Sequence, residues 1–269
     1  MTQEENNLEN TNGRKKREKI ELHPAWLKDM FIRPGRTLEK VSEQDKPVWL
    51  MPLLVITVMV LLVALIGGPV RKASIEASMQ QPPEGFQYWS DADQQAYFQR
   101  QQNALSPIFV YIFPFIKEAA GYWLLWALFS AVLHLTLTLR GSRVPRAKYS
   151  NLVAWGMVPF ILRLIMQLLN LLINKSAEPV VPPQAAWIPA DAKGFMAFLK
   201  GVLGAIDAYW VFFAVLIVIG TIVLSGLKKG KAIGSALAAL AILLLFSGIP
   251  SLINSFLGGL SGSSGMYFY

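Results

Sequence analysis

Five long apolar stretches run along the chain, and polar connections separate them. They lie at about 48–66, 119–139, 151–173, 202–224 and 232–253. A helix of roughly 20 apolar residues crosses a hydrocarbon core of about 30 Å. The pattern therefore predicts an all-α polytopic membrane protein, a bundle of five transmembrane helices within residues 47–254.

The segments outside this membrane domain are polar or amphipathic. Residues 1–22 are rich in Asn, Glu and basic side chains, which predicts a disordered basic tail. Residues 23–46 carry an apolar stripe that predicts short amphipathic segments at the cytoplasmic membrane surface. The stripe supplies three expected interfacial anchors: Trp26, Met30 and Phe31. Residues 255–269 predict an external tail rich in Gly and Ser.

Helix-breaking residues set the expected limits of the first two spans. The run Gly67-Gly68-Pro69 is expected to end the first span and to open a long external connection, residues 70–106. Residues 107–116 are apolar but too short to cross the membrane. They predict an interfacial or re-entrant approach to the second span, bent at Pro114.

The basic residues alternate between the connections. Of the 25 Lys and Arg residues, ten precede the first stretch and seven lie in the second and fourth connections, whereas six lie in the first and third. Cytoplasmic segments of membrane proteins carry the excess of Lys and Arg. The distribution predicts a cytoplasmic N-terminus and, with five spans, an external C-terminus.

Composition excludes several classes of protein. The chain is 54% hydrophobic and 16% charged, with a mean hydropathy of +0.41, unlike an ordinary soluble domain. The net charge of +8 flanks apolar spans, so it indicates contact with anionic membrane lipids and not with nucleic acid. The chain has no Cys, and its two His residues stand apart, so no metal site is expected. No catalytic or cofactor-binding motif is visible, which predicts a protein that is not an enzyme and needs no cofactor.

Four segments together carry a resemblance to a known family. They begin at Phe31 (FIRPGRTLEKV), Gly121 (GYWLLW), Asn151 (NLVAWGMVPF) and Ile206 (IDAYWV). Over about residues 29–253 the chain resembles the Yip1 family. The Asp-Leu-Tyr-Gly-Pro signature of the eukaryotic branch does not occur in the N-terminal region, so the resemblance is closer to the bacterial members.

The resemblance implies a fold, a role and a location. Yip1 proteins have five spans, a cytoplasmic N-terminus and an external C-terminus. The family implies an adaptor or organiser of membrane assemblies, and some bacterial members accompany ABC-type exporters. The partners expected for this chain are membrane lipids and another integral membrane protein, in the bacterial cytoplasmic membrane.

Ionisable residues within the spans are the sharpest candidates for a site. Counting about 1.5 Å per residue puts Arg163 about 18 Å along the third span, near the membrane midplane, with Asp207 at a similar depth. A buried guanidinium needs an acceptor, so we expect an Arg163–Asp207 pair, with Glu118 as the alternative partner. The pair either fixes helix packing alone or serves conduction or partner recognition. Gln167 and Asn170 share the helical face of Arg163 and either extend a polar seam or join helices by hydrogen bonds.

A set of small residues marks one face of the fifth span: Gly234, Ser235, Ala238 and Ala239. Small residues allow helices to approach closely. The face either packs against the fourth span or docks another membrane protein.

The sequence leaves two main functions open, and a third is possible. The first is a non-enzymatic adaptor that binds a partner membrane protein. The alternative is a small transporter or channel that uses the polar seam around Arg163. A lipid-organising protein is the third possibility.

Overall fold

The structure is a computed structural model that describes residues 22–80, 83–176 and 182–260. These residues form α-helices and short helical turns without strands, so the predicted all-α fold is confirmed. The helices are α1 Pro24–Ile32, α2 Pro34–Glu43, α3 Leu50–Met79, α4 Asp91–Ala104, α5 Phe113–Thr138, α6 Arg146–Gly156, α7 Pro159–Asn174, α8 Phe195–Ala205, α9 Ala208–Leu224 and α10 Lys229–Leu260. Short turns add Phe86–Tyr88, Ile108–Ile112 and Pro183–Trp187. The expected basic tail lies almost wholly outside the described residues, as does most of the expected C-terminal tail.

Four helical segments of the described chain are long and apolar enough to cross a membrane. They are Leu50–Ala77, Ile108–Thr138, Arg146–Asn174 and Lys229–Phe256. A fifth crossing is formed if α8 and α9, which meet at 73°, traverse together. The chain is therefore an integral membrane protein of four to five spans.

The first span does not end where expected, because α3 continues through Gly67-Gly68-Pro69 to Met79. The two glycines serve side-chain packing here. A Cβ atom on Gly68 would overlap the ring of Tyr111, and one on Gly67 would lie 3.1 Å from a guanidinium nitrogen of Arg71. These glycines admit neighbouring side chains, and the helix accommodates Pro69 in its interior.

The second span also differs from its prediction, because no re-entrant bend separates residues 107–116 from the rest. The π-helical turn Ile108–Ile112 leads directly into α5, so Ile108–Thr138 forms one continuous helical segment. Pro114 lies where the π-helical turn passes into α5 and has no N–H group to donate to the Val110 carbonyl four residues earlier. That carbonyl accepts instead from Arg71 at 3.2 Å, so the proline is accommodated without interrupting the span.

The centre of the bundle is α6 and the start of α7. Every residue from Asn151 to Phe160 is buried, and Trp155 is fully enclosed. The ring centroids of Phe160 and Phe213 lie 5.3 Å apart, which joins this segment to α9. Because helices α2, α3, α5 and α9 surround it, this segment fills the axis of the bundle.

The N-terminal helices pack on the protein interior. Met30 is 0% exposed, and the rings of Trp26 and Trp155 lie 5.6 Å apart. Phe31 remains 37% exposed, beside Phe212 on α9. The expectation that Met30 inserts into lipid is therefore wrong. An apolar stripe can bury itself against a bilayer or against other helices, and here α6 and α9 supply the surface for α2.

A set of hydrogen bonds joins α6 to the N-terminal arm, which consists of α1, α2 and the connection to α3. The Asn151 side chain accepts from the Val48 N–H at 3.0 Å and donates to the Lys46 carbonyl at 3.0 Å. The Trp155 indole N–H donates to the Val48 carbonyl at 3.1 Å. These bonds satisfy backbone groups where the chain enters α3, which a buried segment requires.

Two connections meet at one end of the bundle. The Ser142 hydroxyl, between α5 and α6, donates to the Ser225 carbonyl, between α9 and α10, at 2.8 Å. Several exposed cations lie in and beside these connections, so we term it the basic end: Arg140, Arg143, Lys228 and Lys229. That the basic end faces the cytoplasm stays a prediction.

Candidate functional site

The structure brings Arg163 of α7 and Asp207 together. The Nε atom of Arg163 lies 3.1 Å from Oδ2 of Asp207. The Arg163 side chain is 39% exposed and that of Asp207 17%. The pair thus joins two spans while leaving part of the guanidinium accessible from outside the protein.

Asp207 owes its position to the break between α8 and α9. It is the N-cap of α9, and its Oδ1 atom accepts from the Trp210 N–H at 2.7 Å. Aspartate is among the preferred N-cap residues because its oxygen satisfies an unpaired helical N–H group and its charge suits the positive end of the helix dipole. One carboxylate therefore starts a helix and holds a cation.

Two side chains of α5 complete a charged cluster around this pair. Glu118 interacts electrostatically with Arg163 and Arg71, but among the described residues it forms no direct ion pair. The Tyr122 hydroxyl lies in the field of Arg163, Glu118 and Asp207, and its ring packs against Phe160 at 5.8 Å. Asp207, and not Glu118, is thus the direct partner of Arg163.

Arg71 is a member of the cluster that the sequence reasoning missed. Its Nη1 atom donates to the Val110 carbonyl at 3.2 Å and to the Ala64 carbonyl at 3.4 Å. The expected end of the first span at Gly67-Gly68-Pro69 places Arg71 in the external connection, outside the bundle. The spacing of Lys72 and Glu76, which form an i,i+4 ion pair of 3.8 Å, was the available signal that the helix continues.

The cluster lies near the opposite end of the bundle from the basic end. Helix α9 has 17 residues, so at about 1.5 Å per residue Asp207 stands roughly 25 Å from the basic end. That distance nearly traverses a hydrocarbon core of about 30 Å. That Arg163 lies near the membrane midplane stays a prediction.

Comparison with known proteins assigns the chain to a family. The family model of the Yip1 domain matches residues 28–249. The chain belongs to the Yip1 family. No curated protein and no solved structure matches it. The Yip1 family is generally one of non-enzymatic membrane proteins.

The Yip1 domain contains the whole charged cluster and the polar face of α7. Gln167 and Asn170 are both half-buried and follow Arg163 away from the basic end. The Asn170 side-chain oxygen accepts from Asn174 at 2.6 Å, within the same helix. In the described part of the chain neither residue forms a hydrogen bond to another helix. They form an intrahelical polar edge beside the cluster.

The small-residue face of α10 in this Yip1 domain is divided. Ser235 is 1% exposed and Ala239 0%, whereas Ala238 points outward. A Cβ atom on Gly234 would lie 3.5 Å from Nη1 of Arg140. Part of the face is therefore used within the bundle, where α10 contacts α5 and α9.

Proposed function

We propose that this Yip1 protein is a non-enzymatic adaptor or scaffold of the bacterial cytoplasmic membrane. It assembles with, or regulates, a partner integral membrane protein, and an ABC-type exporter is the partner class that the family resemblance suggests. It acts by presenting helix faces and a charged cluster to that partner.

The observation that carries this proposal is the filled axis of the bundle. Ten consecutive residues from Asn151 to Phe160 are buried by surrounding helices, and Trp155 and Met157 are fully enclosed there. Protein interiors of this kind are close-packed and leave few voids larger than a water molecule. A continuous pathway for a solute along this axis would require these side chains to move apart.

The outer surfaces of two spans give a partner room to bind. Only 22% of the apolar window in the segment containing α5 is buried, and only 28% of that in α10. Leu124 is 67% exposed and Leu245 55%. Apolar faces of this kind contact either lipid or another transmembrane helix. The accessible part of Arg163 supplies a polar contact that lipid-facing leucines lack, and polar contacts fix orientation and specificity.

Purification in mild detergent followed by mass spectrometry of the bound proteins tests the proposal. Wild-type protein should retain one membrane partner at a fixed stoichiometry. Arg163→Ala should lose most of that partner, whereas the control Lys193→Ala should retain it, because Lys193 is an exposed charge that forms no ion pair among the described residues. Recovery of wild-type protein with no stoichiometric partner would contradict the adaptor role.

A small transporter or channel is the second candidate, and the polar edge of α7 favours it. Arg163, Gln167 and Asn170 share one helical face, and all three are half-buried. Such a protein should carry solute in liposomes when it is the only protein present, and Arg163→Ala should abolish that flux. Flux from the purified protein alone would replace the adaptor proposal with this one.

A further inference from the structure

A cavity of about 700 Å³ opens at the basic end, far from the charged cluster. Its walls come from three parts of the fold: the last residues of α2, the connection between α5 and α6, and the end of α9. The Ser142 hydroxyl donates to the Ser225 carbonyl at 2.8 Å and thereby joins two of these walls. The cavity is therefore built by distant segments of the chain.

The cavity lining leaves one cation without a protein partner. Arg143 and Lys148 are its two cations, and Glu43 is its one acid. Lys148 is held in place by the Ser42 carbonyl at 3.1 Å and by Asp45 at 2.9 Å. Arg143 is exposed and forms no side-chain hydrogen bond or ion pair among the described residues, so its guanidinium is free to bind a ligand.

Backbone N–H groups add to this positive surface. Within the described chain, the N–H groups of Arg143, Val144 and Gly226 donate to no protein atom. Gly226 has a φ angle of +67°, a conformation that glycine adopts without strain. Unpaired N–H groups beside guanidinium and ammonium groups are the donors that phosphate oxygens accept from.

An apolar stripe continues from the cavity along α9. Val223 lies in the cavity wall and is 39% exposed. Val215 and Val211, eight and twelve residues earlier, are 47% and 49% exposed. Each step of four residues turns an α-helix by about 40° beyond a full turn, so the stripe winds around α9 as it leaves the cavity. The polar cavity and the apolar stripe thus form one continuous surface, with the polar part at the helix end.

We propose that this cavity binds the phosphate headgroup of one anionic phospholipid, with its acyl chains along the valine stripe of α9. The unpaired Arg143 guanidinium and the exposed cations of the basic end favour a phosphate-bearing ligand, and the stripe favours a lipid over a soluble phosphate compound. Basic sites between transmembrane helices bind anionic headgroups by this combination of contacts. The site lies apart from the Arg163–Asp207 pair and does not depend on the adaptor role.

Native mass spectrometry of protein released from bilayers of phosphatidylcholine and phosphatidylglycerol tests the site. The wild-type chain should retain one phosphatidylglycerol in preference to phosphatidylcholine. Arg143→Gln should weaken that retention by about tenfold or more, the scale of one lost hydrogen bond to a charged group. Val223→Asn should weaken it independently, because it places a polar group at the start of the stripe.

The matched control is Arg146→Gln, which removes an exposed cation three residues away that does not line the cavity. It should leave phosphatidylglycerol bound. Equal loss in both arginine variants would overturn the proposal in favour of diffuse surface charge. Competition by soluble glycerol phosphate at millimolar concentration would also overturn it, since the site would then recognise the phosphate without the acyl chains.

Discussion

Arg163 binds Asp207 at the residue where α8 turns into α9. One carboxylate oxygen lies 3.1 Å from the guanidinium, and the other accepts the N–H of Trp210 at 2.7 Å. The same side chain therefore sets the start of α9 and the contact of α9 with α7. Its two roles are separable by substitution, because an amide can cap a helix but cannot form an ion pair.

Asp207→Ala should destabilise the protein more than Asp207→Asn. The alanine variant loses a helix cap, worth about 1 kcal/mol, and an ion pair worth at most about 1 kcal/mol at this exposure. The asparagine variant retains an oxygen that accepts the Trp210 N–H. The free energy of unfolding, measured by denaturation in mixed micelles, should rank wild type above Asp207→Asn and Asp207→Ala last. Equal loss in the two variants would mean that the cap contributes nothing.

Asn151→Ala should be among the more damaging single changes outside the charged cluster. The substitution leaves the buried Val48 N–H and the Lys46 carbonyl without their side-chain partner, at a cost of about 1–3 kcal/mol for the buried N–H group. The neighbouring Ser150→Ala removes only an exposed bond within α6 and should change stability by about 0.5 kcal/mol or less. The same unfolding assay compares them, and similar values would refute the fastening role of Asn151.

Gly220→Ala and Gly121→Ala should have opposite effects on stability. A Cβ atom on Gly220 would overlap the Leu152 side chain, so alanine there overpacks the contact of α9 with α6 by about 1–3 kcal/mol. No atom lies within 4 Å of the Cβ position at Gly121. Alanine there should gain up to about 1 kcal/mol of helix propensity. Thermal unfolding of both variants checks the signs, and a stable Gly220→Ala would contradict the close packing.

Cysteine labelling tests the orientation predicted from the basic residues. The chain contains no Cys, so single variants at exposed Lys193 and Lys229 carry one reactive thiol each. In intact cells a membrane-impermeant maleimide should label Lys193→Cys, whereas Lys229→Cys should react only after permeabilisation, because the basic end is predicted to face the cytoplasm. The reverse pattern would invert the assigned topology.

Apolar patterning predicted the helical fold class, the approximate spans and the contact between Arg163 and Asp207. These follow from the length of each apolar stretch and the rise per residue of a helix, which are local properties. Counting from opposite ends of two spans put Arg163 and Asp207 at one level, and the structure joins them. The third helical segment begins at Arg146, earlier than the expected start of the third span. A boundary error of this kind does not change which residues of neighbouring helices lie side by side.

The missed features depend on contacts between distant segments. Gly67-Gly68-Pro69 has the composition of a break, yet α3 runs through it and Tyr111 occupies the space above Gly68. The sharp bend comes instead at Asp207, between α8 and α9. There α8 packs closely on α10, because a Cβ atom added to Gly201 would lie 3.1 Å from the Cα atom of Gly248. The burial of Met30 was missed for the same reason. An apolar stripe in the sequence does not show whether lipid or another helix covers it.

Helices α2 and α9 contact each other although most of the chain lies between them in sequence. During synthesis the N-terminal arm leaves the ribosome first, but half of the surface that receives it is absent until the residues of α9 have entered the membrane. The earliest helices to be made are therefore among the last to reach their final positions. Closure of the arm onto α6 and α9 therefore distinguishes chains that have inserted α9 from chains that have not.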